Sequence, residues 1–168
     1  MTERALIVEH IPSLRRYARA LVGARGDADD LVQECLERAL SRWHLFSPDR
    51  PLRPWLFSIM HNQFISGRRR DARRGTGVPL EDDDMRLSVP AAQESRAAMH
   101  ELADALGELS VEQREVVLLV GLEGLSYAEV AEVLGIPLGT VMSRLSRGRE
   151  RLRELTQDGD RPRLRRVK

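Results

Sequence analysis

The residues from Ser126 to Arg151 constrain the fold more than any other stretch of the chain. Ser126 and Glu129 have the spacing of a capping box, which predicts a helix that begins at Ser126. The helix ends at Gly135-Ile136-Pro137, because glycine can adopt the positive φ of a sharp turn and proline cannot extend a helix. A second helix follows, and its apolar residues recur at helical spacing. These are Val141, Leu145, Gly148, Leu152 and Leu155.

The polar face of this second helix consists of hydroxyl groups and arginines. The small Ala131, the turn at Gly135 and the apolar Val141 follow one another in the order of a helix-turn-helix, whose second helix enters the DNA major groove. Hydroxyl and guanidinium groups suit base edges and phosphates. The alternative is a solvated helical hairpin, but spacing, turn chemistry and charge together favour DNA binding. The polar residues are Thr140, Ser143, Arg144, Ser146, Arg147, Arg149 and Arg151.

The charges of the chain are nearly balanced in number but segregated in position. The whole sequence has 27 basic and 26 acidic residues. Residues 1–74 carry fourteen basic and nine acidic residues, and residues 140–168 carry ten and four. The intervening residues 75–139 carry three and thirteen. Two separate basic regions predict two contacts with a polyanion, against the alternative of solvated faces.

Several classes of protein are disfavoured by what the sequence lacks. Cys35 is the single cysteine, so an internal disulfide is impossible, and its place on an apolar stripe predicts a buried thiol. No nucleophile motif, phosphate loop, dinucleotide fingerprint or metal-ligand spacing is present, so we expect no cofactor and no enzyme activity. No apolar run is long enough to cross a membrane and no secretory segment is seen. The sequence predicts a cytoplasmic binding protein without membrane insertion.

Helical periodicity also runs through the N-terminal half. A helix over 5–22 is predicted to start or kink at Pro12. Asp27 is predicted to cap the next helix, whose apolar stripe continues through Leu40 to Trp43. The opposite face is polar and largely acidic, as a solvated surface or a protein-docking surface would be. Charge alone favours the solvated interpretation.

Aromatic and basic residues are then combined over residues 44–70. A loop at 44–53 holds Phe46 among arginines, Pro54 suits the first turn of a third helix, and that helix ends in Arg68-Arg69-Arg70. Basic residues beside an aromatic loop can hold single-stranded DNA by phosphate pairing and base stacking. The alternatives are that the arginines complement the helix dipole and that Phe46 pins the loop to the helices.

The sequence predicts an all-α protein of two small helical domains joined by a flexible linker. Glycines, prolines and acidic residues mark residues 75–92 as the linker, between domains at 1–74 and 93–157. Its acidity predicts weak packing between the domains. In the second domain, apolar periodicity resumes at Met99 and Leu102, and Ser110 with Gln113 predicts a further helix start. Residues 158–168 are predicted to form a disordered basic tail.

Three segments in this order resemble the extracytoplasmic-function sigma factors of bacterial RNA polymerase. They are DADDLVQECLERAL, PLRPWLFSIMHNQFISGRRR and LSVEQREVVLLVGLEGLSYAEVAEVLGIPLGTVMSRLSRGRERLRE. The resemblance covers both predicted domains and the linker between them. It implies an alternative sigma factor with three partners: core RNA polymerase, promoter DNA and an anti-sigma factor.

The resemblance also implies roles for individual residues. The acidic helix would dock core polymerase through Asp29, Asp30, Gln33, Glu34 and Glu37. The aromatic loop and third helix would open and read the −10 element through Phe46, Arg50, Arg53, Asn62, Arg68, Arg69 and Arg70. The recognition helix would read the −35 duplex through Leu138, Gly139, Thr140, Ser143, Arg144, Arg147 and Arg151.

His61, Ser66 and Met142 depart from the residues common in that family, which affects the expected promoter sequence and not the fold. Two other functions are compatible with parts of the sequence. A stand-alone helix-turn-helix regulator would leave the acidic helix and the aromatic loop without a role. A sigma mimic that titrates an anti-sigma factor would not need the arginines of the recognition helix.

Overall fold

The computed structural model describes residues 2–23, 25–75 and 93–157, and these residues form eight α-helices without a strand. The predicted linker beyond Gly75 and the predicted tail lie outside the described residues. The N-terminal helices are α1 (Glu3–Val8), α2 (Ile11–Val22), α3 (Arg25–Ser41) and α4 (Leu52–Arg74). The C-terminal helices are α5 (Gln93–Gly107), α6 (Val111–Val117), α7 (Tyr127–Leu134) and α8 (Leu138–Gln157).

The N-terminal unit is built by packing α3 against both α2 and α4. Leu14, Phe57 and Met60 are buried in its core together with Cys35. The Cys35 thiol faces the Leu56 carbonyl oxygen at 3.5 Å, and burial raises the pKa of the thiol to about 12. The predicted burial of the cysteine thiol is therefore confirmed.

Helix boundaries in this unit differ from the sequence-based prediction by about one turn or less. The helix α3 begins at Arg25, so Asp27 lies in its first turn instead of capping it. The helix α4 begins at Leu52 and contains Pro54 in its first turn, where the missing N–H is not needed. Pro12 likewise falls in the first turn of α2 after a break that ends α1 at Val8. Leu40 was predicted to be covered, yet 39% of its surface is exposed.

The C-terminal unit contains the predicted helix-turn-helix. The Ser126 hydroxyl accepts a hydrogen bond from the Glu129 N–H, and the Glu129 carboxylate accepts one from the Ser126 N–H. Gly135 has φ +64°, as the turn requires. Val141, Leu145 and Gly148 are buried on α8. Met99 and Leu102, which begin the predicted stripe of α5, are partly exposed instead.

The two units contact each other. The helix α4 lies against α7, and α2 contacts both α6 and the π-helical turn Leu118–Leu122 that follows α6. That this packing is weak stays a prediction, because contacts alone do not measure its strength.

Candidate nucleic-acid and protein interfaces

The polar face of α3 is a continuous exposed surface on a helix whose other face is buried. Ala28, Val32, Cys35 and Ala39 anchor the helix in the core. The Gln33 side-chain amide donates to the Glu37 carboxylate at 3.0 Å, one helical turn along. The exposed residues are the five predicted to dock a protein: Asp29, Asp30, Gln33, Glu34 and Glu37.

A shallow groove joins this acidic face to the basic part of α4. The Arg38 guanidinium on α3 donates to the Gln63 side-chain carbonyl on α4 at 2.9 Å when the amide is oriented to satisfy both groups. This contact fixes the relative position of the two helices at the groove. The two predicted surfaces, one acidic and one basic, therefore share an edge. The groove is lined by Glu34, Glu37, Arg38, Ser41, Gln63, Ser66 and Arg70.

The C-terminal half of α4 presents cations to solvent. Asn62, Arg68, Arg69 and Arg70 are all exposed. The Arg68 guanidinium lies 5.8 Å from the centre of the Phe64 ring, which holds the side chain along the helix. Exposed guanidinium groups in this arrangement can pair with phosphates.

The loop before α4 is held by three aromatic rings. The Phe46 ring centre lies 5.1 Å from that of Trp43 and 5.2 Å from that of Trp55. Phe46 thus packs within this cluster, as the loop-pinning alternative requires, while Arg50 is exposed. Leu45 is 65% exposed at the loop, an apolar contact candidate that the sequence-based list omits. The signal that could have identified Leu45 was its position beyond the apolar stripe of α3.

Arg53 is the predicted −10 residue whose surroundings differ most from expectation. Its guanidinium is 2.6 Å from the carboxylate of Glu123 in the C-terminal unit and 5.7 Å from the centre of the Phe57 ring. Arg53 is therefore already paired, whereas the arginines at the end of α4 face solvent.

The predicted −35 residues lie on one helix, α8, and differ in exposure. Leu138, Gly139, Arg147 and Arg151 are exposed, whereas Thr140, Ser143 and Arg144 are half-buried. The buried Val141, Leu145 and Gly148 fix the rotation of α8 about its axis. Met142, one of the departures from the family pattern, is 52% exposed beside the predicted base-reading residues.

Within the described ranges, no group of histidine, cysteine, aspartate and glutamate side chains could hold a metal ion. No helix in those same ranges has the length and apolar character needed to cross a membrane.

Comparison with known proteins places both units in one family. Residues 7–61 match the family model described as the sigma2 domain of PhyR, and residues 99–152 match sigma-70 region 4. The chain is 39% identical over 153 residues to the ECF RNA polymerase sigma factor EcfG of Rhodopseudomonas palustris, covering 89% of this chain and 82% of EcfG. It is 41% identical over 145 residues to the ECF sigma factor SigL of Mycobacterium tuberculosis, covering 84% of this chain and 81% of SigL.

A solved structure gives the same result for the fold. The sigma factor RpoE of Bartonella quintana, crystallised with the anti-sigma factor NepR, aligns with a TM-score of 0.79 and 34% identity over 92% of this chain and 96% of RpoE. Along the chain, the acidic helix and the basic helix precede the helix-turn-helix, as the sigma2 match precedes the match to region 4. The chain belongs to the ECF family of RNA polymerase sigma factors.

Proposed function

We propose that this protein is an alternative sigma factor that binds core RNA polymerase, directs initiation at its own class of promoters and is held inactive by an anti-sigma factor. One observation carries the proposal: a single chain of this family presents an exposed acidic helix face, a basic helix beside an aromatic loop, and a helix-turn-helix. The complex of the similar RpoE with NepR supports an anti-sigma partner.

Each surface has one role in this proposal. The exposed side of α3 docks core polymerase, since the opposite side of this helix is buried in the hydrophobic core of the N-terminal unit. The end of α4 and the loop before it bind the −10 strand through guanidinium groups and apolar side chains. The recognition helix α8 enters the major groove of the −35 duplex, with its first turns at base edges and its later arginines at phosphates.

Footprinting on promoter DNA tests the proposal. We expect protection of both the −35 and −10 elements when core polymerase and the chain are present together, and no sequence-specific protection with the chain alone. Protection of a single duplex site by the chain alone would instead identify a stand-alone helix-turn-helix regulator.

A sigma mimic that titrates an anti-sigma factor is the second candidate function. The observation in its favour is that Arg53, a predicted −10 contact, is paired with Glu123 inside the protein. The exposed arginines of α8 argue against it, since a mimic has no need of them. A mimic would bind an anti-sigma factor but give no footprint with core polymerase.

Replacement of Gln33 and Glu34 by arginine should weaken binding to core polymerase by about tenfold or more without unfolding the chain. Both residues are exposed, so the fold does not depend on them, and the reversed charge opposes docking of a basic partner surface. Titration of labelled chain with core polymerase measures the effect. Glu101→Arg on α5 is a control with a similar charge change, and equal losses from both would refute the docking role.

On the recognition helix, Arg144→Ala should cost about 1–3 kcal/mol of binding and relax preference at one −35 position. Arg151 lies later on α8, is exposed and pairs with Glu154 at 3.1 Å, so Arg151→Ala should weaken binding to all sequences alike. Binding of the holoenzyme to a set of single-base promoter variants separates the two effects. A uniform loss from Arg144→Ala would contradict a base-reading role.

Phe46→Ala separates base stacking from loop pinning. Stacking on an unpaired base predicts a loss of about 1–3 kcal/mol in binding a promoter melted at −10, with the melting temperature nearly unchanged. Because Phe46 contacts Trp43 and Trp55, pinning predicts a lower melting temperature with unchanged DNA binding per folded molecule. Thermal melts and strand-binding titrations on the same preparations measure both quantities.

A further inference from the structure

The buried carboxylate of Glu123 joins the two units. Its side chain has no solvent exposure, although it follows the π-helical turn at the surface of the C-terminal unit. Arg16 on α2 donates to it twice, at 3.0 and 2.8 Å. Arg53 on α4 donates to it at 2.6 Å. The Glu123 carboxylate thus contacts two arginines of the N-terminal unit.

The backbone around Glu123 fixes the position of the carboxylate. The Glu123 N–H donates to the Leu118 carbonyl across the π-helical turn, and Gly124 follows with φ +67°. Arg16 uses its Nε and one terminal nitrogen on the two oxygens of Glu123, which is the paired geometry by which arginine also binds phosphate. The carboxylate therefore occupies the place that a phosphate group would take beside these arginines.

Two further contacts join the same surfaces. His61 Nδ1 on α4 is 2.6 Å from a Glu115 carboxylate oxygen on α6, and both side chains are largely buried. Arg114 on α6 donates to the Leu21 carbonyl at the end of α2. The contact between the units thus contains specific polar contacts in addition to the packing of α4 against α7.

We infer that Glu123 is an internal substitute for a DNA phosphate, and that it holds the free chain in a closed state in which Arg16 and Arg53 cannot bind nucleic acid. Closure and strand binding then compete for the same cations, so the chain masks part of its own −10 surface. The inference rests on the proposed function only in taking Arg53 as a nucleic-acid contact. The closed state itself rests on the geometry at Glu123.

The distance between the units reports the closed state directly. Spin labels on cysteines introduced at Ala5 in the N-terminal unit and Glu150 in the C-terminal unit lie at exposed positions outside the contact. Cys35 can be kept, since its thiol is fully buried. Pulsed electron spin resonance on the free, full-length chain then gives the distribution of distances.

Two variants should open the chain. Glu123→Gln removes the charge but keeps the shape of the side chain. Arg16→Gln removes two of the three hydrogen bonds to Glu123, from a side chain that is 48% exposed and so not needed for the core. Glu101→Gln on α5 is the control, with the same charge change as Glu123→Gln at an exposed position.

Strand binding is measured on the same proteins with a labelled, mixed-sequence pool of single strands about 15 nucleotides long. We expect longer distances for Glu123→Gln and Arg16→Gln. For Glu123→Gln we also expect an affinity for the strand about tenfold above that of the Glu101→Gln control. This factor applies if the closed state holds about nine-tenths of the unmodified molecules, because only the open tenth can then bind the strand.

Unchanged distances in both opening variants would overturn the closed state. Longer distances without tighter strand binding than the control would overturn the role of Glu123 as a phosphate substitute. Circular dichroism at each step verifies that helix content is retained, and Arg16→Gln provides the test if Glu123→Gln does not fold. Failure of the footprint with core polymerase, together with the expected distances and affinities, would refute the proposed function and leave this inference standing.

Discussion

Replacement of Arg114 by alanine is expected to lower the free energy of unfolding by about 3 kcal/mol or more. The guanidinium is buried and donates four hydrogen bonds to backbone carbonyls. The acceptors are Leu106, Gly107, Leu109 and Leu21, at 2.8, 2.8, 3.1 and 2.9 Å. Leu106 and Gly107 are the last residues of α5, where a helix leaves its carbonyls without internal partners, and Leu109 lies in the turn that follows. Alanine would remove the guanidinium donor from all four carbonyls.

The charge of Arg114 is itself unfavourable in this place. Burial, and secondarily the nearby Arg68, lower the pKa of the guanidinium, and the hydrogen bonds to the carbonyls offset that cost. Arg114→Lys should therefore lower the free energy of unfolding by less than Arg114→Ala does. An ammonium group keeps the charge, but it lacks the planar, forked donors with which the guanidinium reaches all four carbonyls.

Denaturant unfolding of the full-length chain measures these differences, with Arg153→Ala on the exposed face of α8 as the control. The control should change the free energy of unfolding by less than about 0.5 kcal/mol. A loss of less than about 1 kcal/mol for Arg114→Ala would show that water replaces the guanidinium and that the hydrogen bonds do not hold the end of α5.

Enlarging Gly148 is expected to have the second large effect, a destabilisation of about 1–3 kcal/mol for alanine and more for valine. A Cβ atom at this position would lie 2.7 Å from Val117 Cγ2 and 3.5 Å from Gln113 Cβ. The helices α8 and α6 approach closely here because glycine has no side chain. A larger residue must push α8 away from α6, and the predicted DNA-binding face of α8 would move with it.

Gly67→Ala on α4 is the matched control, since its added Cβ would meet nothing closer than 4.0 Å. There the removal of a mid-helix glycine should stabilise the chain by about 0.5–1 kcal/mol. Thermal or denaturant melts of both variants test this difference in stability. Binding of the −35 duplex by the holoenzyme is the second measurement. Equal stability of the two variants would contradict the close approach at Gly148.

The local features of the helix-turn-helix could be predicted because each depends on neighbours in sequence. The capping box at Ser126 and the positive φ of Gly135 depend on residues within one turn. The rotation of α8 followed from apolar spacing, and Val141 and Leu145 are buried as predicted. The start of α3 was misplaced by three residues, because the acidic residue at 27 suits a first turn as well as a cap.

Periodicity predicts which face of a helix is apolar, but it does not predict how much of that face the neighbouring helices cover. Leu40, Met99 and Leu102 lie on predicted stripes, yet each is about 40% exposed. The predicted binding residues on α3, α4 and α8 are mostly exposed, as binding requires, but exposure alone does not test their roles. Those roles remain predictions that the experiments above address.

The contact between the units could not be read from the sequence. Arg16 and Glu123 are separated by 107 positions, and no periodic pattern links them. The same holds for His61 and Glu115, although His61 had been noted as a departure from the family pattern. The structure gives that departure a physical account as a contact between units. Ser66 lies in the groove between α3 and α4, and nothing in the structure explains the choice of serine there.

Reconstituted transcription tests the central claim most directly. Core RNA polymerase, the purified chain and DNA from upstream of its own coding region would be combined, and specific transcripts measured with the chain present and absent. We expect transcripts from a defined start site only when the chain is present. These transcripts should be lost with the double variant Gln33→Arg/Glu34→Arg and retained with Glu101→Arg. A chain that binds core polymerase or an anti-sigma factor but yields no specific transcript from any fragment of a genomic promoter pool would contradict the central claim.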